Sequence, residues 1–264
     1  MKTIFIGGTG RSGTSILSKI LAQDSEVLNF GESRFLVDFP TTKDYLDNEE
    51  IVSKKYMDYM QKGVRHGLMK INPWINNIEF TKNALAAYAI KRIYKLNNPN
   101  FKELVNNFYK MGLNAANRSI MLEKTPHNII ITDILNRVFD DLKFIHVLRD
   151  PRDIFCSIKQ VKWGPNNSDE FIVWYNELMN KAYEMKDNIK DYLVVSLEDV
   201  VCSNIVIKEV FNFVGIKFKE EYTSLINRNN SHIKRYLDDI SGDESRKIWA
   251  NCRDIYMKWD ILKL

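Results

Sequence analysis

The 264-residue chain has only three cysteines, Cys156, Cys202 and Cys252, far apart, with no CxxC pair and no partnered histidine spacing. Their odd number and wide spacing argue against a disulfide framework and a zinc site, and they fit a reducing compartment. No apolar run approaches the ~20 residues that a helix needs to cross a bilayer, and 27% of the residues are charged. The first apolar run stops at Gly7-Gly8, too short for the core of a signal peptide. The expectation is a soluble, cytoplasmic protein whose first strand begins at the N-terminus. Charge of one sign is also lacking. The 38 Lys+Arg against 34 Asp+Glu leave +4, enough for mild attraction of anions but without the basic stripe of a nucleic-acid binder. Repeats, low-complexity stretches and a dividing linker are absent from the sequence. With 45% hydrophobic residues, a single domain over residues 1–264 with a sizeable core is the expected organisation.

What is present is an alternation. Lys2 to Ile6 is a short β-branched run ended by glycines, and Ser12 to Gln23 places Ile16, Leu17, Ile20 and Leu21 at helical spacing. Met121-Leu122, Phe144 to Leu148 and Tyr192 to Val195 are further short apolar runs, each followed by helical spacing. Strand followed by helix, repeated, predicts an α/β fold with a mainly parallel central sheet. From about 41 to 118 the texture changes, and Ala84, Leu85, Tyr88, Ala89 and Ile93 show the spacing of a mostly helical insertion over the sheet. A long helix is predicted from Asp169 to Asn188, with Phe171, Trp174, Leu178, Ala182 and Met185 as a core-facing stripe.

Gly8-Thr9-Gly10-Arg11-Ser12-Gly13-Thr14-Ser15 follows a strand and opens a helix, the context in which a glycine-rich loop binds phosphate. Its glycines let successive N–H groups point inward, and the helix start adds positive potential. The spacing is that of a nucleoside-triphosphate loop, except that Thr14 stands where the lysine that reaches the β- and γ-phosphates would be. ATP or GTP chemistry is therefore disfavoured, whereas a single 5′-phosphate group remains compatible. Arg11 offers a forked cation within the loop. At the end of a second strand, Arg149-Asp150-Pro151-Arg152-Asp153 leads into a helix that carries Ser157. Carboxyl ends of strands are where open α/β sheets bind ligands, so Arg149 and Ser157 can meet one anion. Surface pairing of Arg149 and Arg152 with Asp150 and Asp153 is the plainer alternative.

Together these motifs resemble the donor site of the sulfotransferases that use 3′-phosphoadenosine-5′-phosphosulfate (PAPS). The resemblance implies a three-layer, P-loop-like fold with helices on both faces of the sheet. It also implies that Arg11, Ser12, Gly13, Thr14 and Ser15 hold the 5′-phosphosulfate, and that Arg149 and Ser157 hold the 3′-phosphate. Arg11 followed by Ser-Gly-Thr is similar to the tyrosylprotein branch and its bacterial relatives. Gly31-Glu32-Ser33-Arg34 resembles the Glu-x-Arg stretch that gives this branch its base, and Glu123-Lys124-Thr125-Pro126 the segment whose lysine lies near the transferred group. Leu197-Glu198-Asp199-Val200 looks like a late Tyr-Glu-Asp-Leu segment in which Leu197 replaces the Tyr. Ile233-Lys234 resembles a late lysine that touches the donor.

The implied activity is transfer of a sulfuryl group from PAPS to an acceptor hydroxyl, leaving adenosine 3′,5′-bisphosphate (PAP). Glu32 is the expected base, His127 its alternative, and Lys124 and Arg11 the cations at the leaving phosphate, with no metal ion. A carbohydrate or small metabolite is the first acceptor expected and a peptide tyrosine the second. Trp74 and lysines such as Lys54, Lys55, Lys62 and Lys70 in the insertion are candidates to meet it. A P-loop kinase and a non-catalytic nucleotide-binding module are the readings from other classes.

Overall fold

The computed structural model describes residues 1–33, 36–37, 101–226 and 232–262. In chain order these form β1 (Lys2–Gly8), α1 (Thr14–Leu21), β2 (Val27–Asn29), α2 (Phe101–Ala116), β3 (Ile120–Lys124) and α3 (Thr132–Val138). There follow β4 (Leu142–Leu148), α4 (Pro151–Ile158), α5 (Ser168–Met185), β5 (Tyr192–Ser196), α6 (Leu197–Cys202), α7 (Asn204–Val214), α8 (Tyr236–Asp239) and α9 (Gly242–Met257). Three-residue-per-turn segments lie at Pro126–Ile130, Lys186–Asn188 and Glu220–Leu225. The expected insertion falls within the described residues only from 101 onward, where it is the helix α2.

The five strands form one parallel sheet in the order β2-β3-β1-β4-β5. The β-branched and aromatic runs make these strands because both sheet faces are covered, and side chains alternate between the faces. Ile4 and Ile6 of β1 pack with Leu17, Ile20 and Leu21 of α1 and with Val210 and Phe211 of α7. Phe5, between them, joins the opposite core of Tyr109, Phe139, Phe144, Phe155 and Phe171. Helices therefore cover the sheet on both sides, as the α/β expectation requires. The sequence pattern missed β2: three residues at a sheet edge are too few to show a period.

Two local features differ from or refine the expectation. In α5 the buried stripe is Phe171, Tyr175, Leu178, Met179 and Ala182, while Trp174 is half-buried beside Phe171, with ring centroids 5.8 Å apart. The helix ends at Met185, and Lys186–Asn188 tightens into the last turn. Its start is capped by the Asn167 side chain, which accepts from the Glu170 amide. In α4, Pro151 occupies the first position and Asp150 caps it by accepting from the Arg152 amide.

The connection after β1 leads to β2 on one side of the sheet, and the one after β4 leads to β5 on the other. This places a topological switch between β1 and β4, where a crevice opens at the carboxyl ends of the strands. All three cysteines are free, with Cys156 and Cys252 buried. Among the described residues no helix is long and apolar enough to cross a membrane.

Candidate active site

The glycine-rich loop occupies this crevice. A β-carbon on Gly8 would come within 2.5 Å of the Val147 carbonyl oxygen, so only glycine lets the end of β1 pass so close to β4. Ser12 is fully buried and its hydroxyl donates to the Thr9 carbonyl at 2.9 Å, closing the loop on itself. Its side chain is thereby turned into the loop, and Ser12 is not among the residues that line the cavity. Gly13 has φ +97°, and a β-carbon there would meet Leu197 at 2.5 Å. The left-handed turn at Gly13 aims the start of α1, with its N–H groups that lack intrahelical acceptors, into the crevice.

Two arginines converge on the loop. Arg11 adopts a left-handed backbone (φ 71°), uncommon for a side-chain-bearing residue, and its Nε donates to Ser157 Oγ at 2.8 Å. Arg149 is 5% exposed. Its Nη1 donates to the Arg11 carbonyl at 2.9 Å and its Nη2 to the His232 carbonyl at 2.7 Å, while Nε is buried without a partner among the described residues. Burial pulls its pKa down, and the charges of Asp153 and Glu198 oppose that. Arg149 and Ser157 are thus in one site as predicted, but Ser157 bonds Arg11. Both arginines of the plainer alternative meet a carboxylate: Arg149 Nη2 lies 3.9 Å from Asp153 Oδ2 in a pair that is buried, and Arg152 binds Asp150 and lies over the Tyr236 and Trp249 rings at 3.8 and 4.6 Å.

At the other end of the crevice, Gly31 turns the chain (φ 67°) and Lys124 N–H donates to its carbonyl at 2.8 Å, extending the β2–β3 ladder. The turn brings Glu32 Oε2 to 3.0 Å from Lys124 Nζ, with the lysine side chain 11% and the glutamate 37% exposed. Glu123, the residue before, points to the opposite face of β3 and is fully buried. It accepts from the Ser33 amide and hydroxyl at 3.1 and 2.8 Å, from Thr125 Oγ1 at 2.6 Å and from Asn128 Nδ2. Desolvation pushes its pKa up, and these hydrogen bonds counter it.

Arg11, Gly13, Thr14, Ser15, Glu32, Lys124, Arg149 and Ser157 line one cavity of about 890 Å³, together with His127. Lys234 does not. Its side chain is exposed, its backbone N–H donates to Asp153 Oδ2 at 2.7 Å, and the cavity wall there is made by His232 and Arg235. Sequence reasoning missed Arg235, which the capture of the Lys234 and Tyr236 amides by buried Asp153 swings into place. It also missed Gln160 and Trp163, and the aliphatic wall of Ile16, Leu197, Val201, Leu225 and Ile226. Trp163 is 63% exposed and lies against Gly10. An aromatic next to Gly164-Pro165, outside any apolar period, was the available signal. Glu123 had one too: a charge at a buried phase of a strand. Arg34, Trp74 and the lysines Lys54, Lys55, Lys62 and Lys70 lie outside the described residues.

A parallel α/β sheet carrying a glycine-rich loop after β1, with cations at the ends of β3 and β4 on either side of it, defines a protein of P-loop-like architecture with a cationic crevice. The chain belongs to the sulfotransferase family, whose model matches residues 3–220. A Caenorhabditis briggsae protein named "Putative protein-tyrosine sulfotransferase" is 22% identical over 229 residues, covering 83% of this chain and 67% of that one. The sulfotransferase domain of the Synechococcus PCC 7002 olefin synthase superposes with TM-score 0.61 at 16% identity, over 99% of this chain and 95% of that one. The sulfotransferase domain of the curacin biosynthetic pathway gives TM-score 0.61 at 14% identity, over 99% of both chains. The two solved domains share the fold.

Proposed function

We propose that the chain transfers a sulfuryl group from PAPS to a hydroxyl of a carbohydrate or small metabolite, with Glu32 as base. The observation that carries this reading is the convergence of Arg11, Lys124, Glu32, Arg149 and Ser157 on one cavity. The residues fit such a donor. The loop offers N–H groups and Arg11 to a 5′-phosphate, and each Nη of Arg149 keeps a second hydrogen beyond its carbonyl bond. Arg149, with Ser157 and Arg235, would hold the 3′-phosphate, Arg235 taking the place expected of Lys234. The aliphatic wall from Ile16 to Ile226 suits the flat face of a nucleobase.

The donor supplies the sulfuryl group. Glu32 would take the proton of the acceptor hydroxyl as its oxygen bonds to sulfur, and Lys124 and Arg11 would neutralise charge on the phosphate oxygen released from sulfur. The 3.0 Å Glu32–Lys124 contact supports this division, because base and cation then address the same point. A peptide tyrosine is the second acceptor reading, supported by the name of the Caenorhabditis briggsae relative. Thr14 in the place of a loop lysine speaks against a kinase.

Calorimetry without magnesium tests the donor site. PAP should bind more tightly than 5′-AMP or ATP. Arg149→Ala should weaken PAP by about 10- to 100-fold, since a charge-assisted hydrogen bond is worth roughly 1.5 to 3 kcal/mol. Preference for ATP, or equal PAP affinity in the variant, would overturn the reading.

A further inference from the structure

We infer that Glu123 is a positioning residue for sulfuryl transfer, whose buried carboxylate holds the Glu32 turn, the Lys124 strand end and the His127 turn in one arrangement. The inference rests on the roles of Glu32 and Lys124 proposed above. β3 reads Ile-Met-Leu-Glu-Lys, and its fourth position faces the core of Phe30, Tyr109 and Met121. An aliphatic residue would satisfy that place. A carboxylate there, 2% exposed, must be compensated by hydrogen bonds. It has four, from two segments: the Ser33 amide and hydroxyl 90 residues away, and Thr125 and Asn128 of the turn that follows β3.

The identity of the donors carries the inference. Ser33 follows Glu32, Thr125 follows Lys124, and Asn128 follows His127. Glu32, Lys124 and His127, three cavity groups that could handle a proton or a charge at the end of β3, are therefore each one residue from a partner of Glu123. Ser33 Oγ also lies 3.3 Å from Tyr109 Oη, which fixes the turn against α2. An acceptor-only group with two oxygens can gather all these donors at once. Without it, the Glu32 turn keeps the Lys124 amide bond to Gly31 and the Ser33–Tyr109 contact but loses both bonds from Ser33 to Glu123. A shift of about 1 Å at a reacting group costs on the order of 100-fold in rate, so loosened placement is enough to impair transfer while the phosphate loop stays intact.

The test compares Glu123→Ala, Glu123→Gln and Ser33→Ala in the full chain. Three measurements are made: PAP affinity by calorimetry, release of PAP from PAPS with water as acceptor, and backbone hydrogen exchange over residues 27–33. Glu123→Ala should keep PAP affinity within about threefold, lower the rate of PAP release about 10- to 100-fold, and speed exchange at the Glu32 turn. Glu123→Gln should recover most of the rate, because an Asn128 amide flip presents its oxygen to the new NH2 group. Ser33→Ala, which removes one donor and leaves the core filled, should shift rate and exchange in the same direction by less, and it serves if Glu123→Ala does not fold. Unchanged rate and exchange in these variants would overturn the inference. So would a loss of rate matched by an equal loss of PAP affinity, or a Glu123→Gln variant as impaired as Glu123→Ala. Absence of PAP binding by the unaltered protein would instead overturn the donor reading itself.

Discussion

Glu32 and His127 both border the cavity. Glu32 is within one hydrogen bond of Lys124 Nζ, the cation placed to meet developing charge. Loss of a general base typically removes ~10² to 10⁴-fold of the rate. Glu32→Gln should therefore depress PAPS turnover by that order with PAP affinity unchanged, whereas His127→Gln should change turnover less than about tenfold. Single-turnover rates of the two variants decide between them, and the reverse ranking would transfer the base role to His127. The motifs made this pair legible in the sequence because each sits within a few residues of a glycine or proline that punctuates the chain. What the sequence did not show was that Lys124 faces Glu32 directly.

Elements carry a different constraint. α1 can begin at Thr14 only because Gly13 turns through φ +97° against the Leu197 side chain. Gly13→Ala adds a β-carbon both to a left-handed backbone and to a filled space. It should destabilise the fold by about 1 to 3 kcal/mol, read as a lowered urea midpoint, and should weaken PAP binding by misdirecting the helix start. Gly13→Ala/Leu197→Ala should regain part of the stability, since it clears the contact and leaves the backbone strain. Four of the five strands were legible as apolar runs bounded by turn residues, and β2 was too short to be. In α5, helical spacing gave the right helix and put Trp174 where Tyr175 is buried, because one residue advances a helix by only about 100°. The loop and the Arg149 strand end were readable because their chemistry is local in sequence. Arg235 was not: Asp153 places it from 82 residues away by holding backbone amides, which leave no mark in side-chain pattern.

For the molecule as a whole, two cores clasp the sheet, and one of them encloses a titratable group. His146 in β4 is fully buried, bonded at Nδ1 to Tyr192 Oη at 3.0 Å and set edge-on to Trp259 at 4.4 Å. Burial lowers its pKa from 6.5 to about 3. The unfolded chain therefore takes up a proton below pH 6.5 that the folded protein refuses, and stability falls as pH drops through that window. From pH 6.5 to 4 this amounts to about 3 kcal/mol. The raised pKa of Glu123 acts with the opposite sign, favouring the fold at low pH and weakening it as pH rises above 4.5. Thermal unfolding from pH 7 to 4 should thus fall steeply for the unaltered chain and less steeply for His146→Gln. Equal slopes would show that the imidazole is not held neutral.

The contacts Ser157 to Arg11, Arg11 to Arg149 and Arg149 to His232 form an unbroken series across the mouth of the sheet. Each link fixes the next, so the two cationic stations cannot drift apart independently. On the donor reading proposed above, a site built this way would act as a caliper, responding to the separation between two anionic groups on one ligand more than to how much charge that ligand bears.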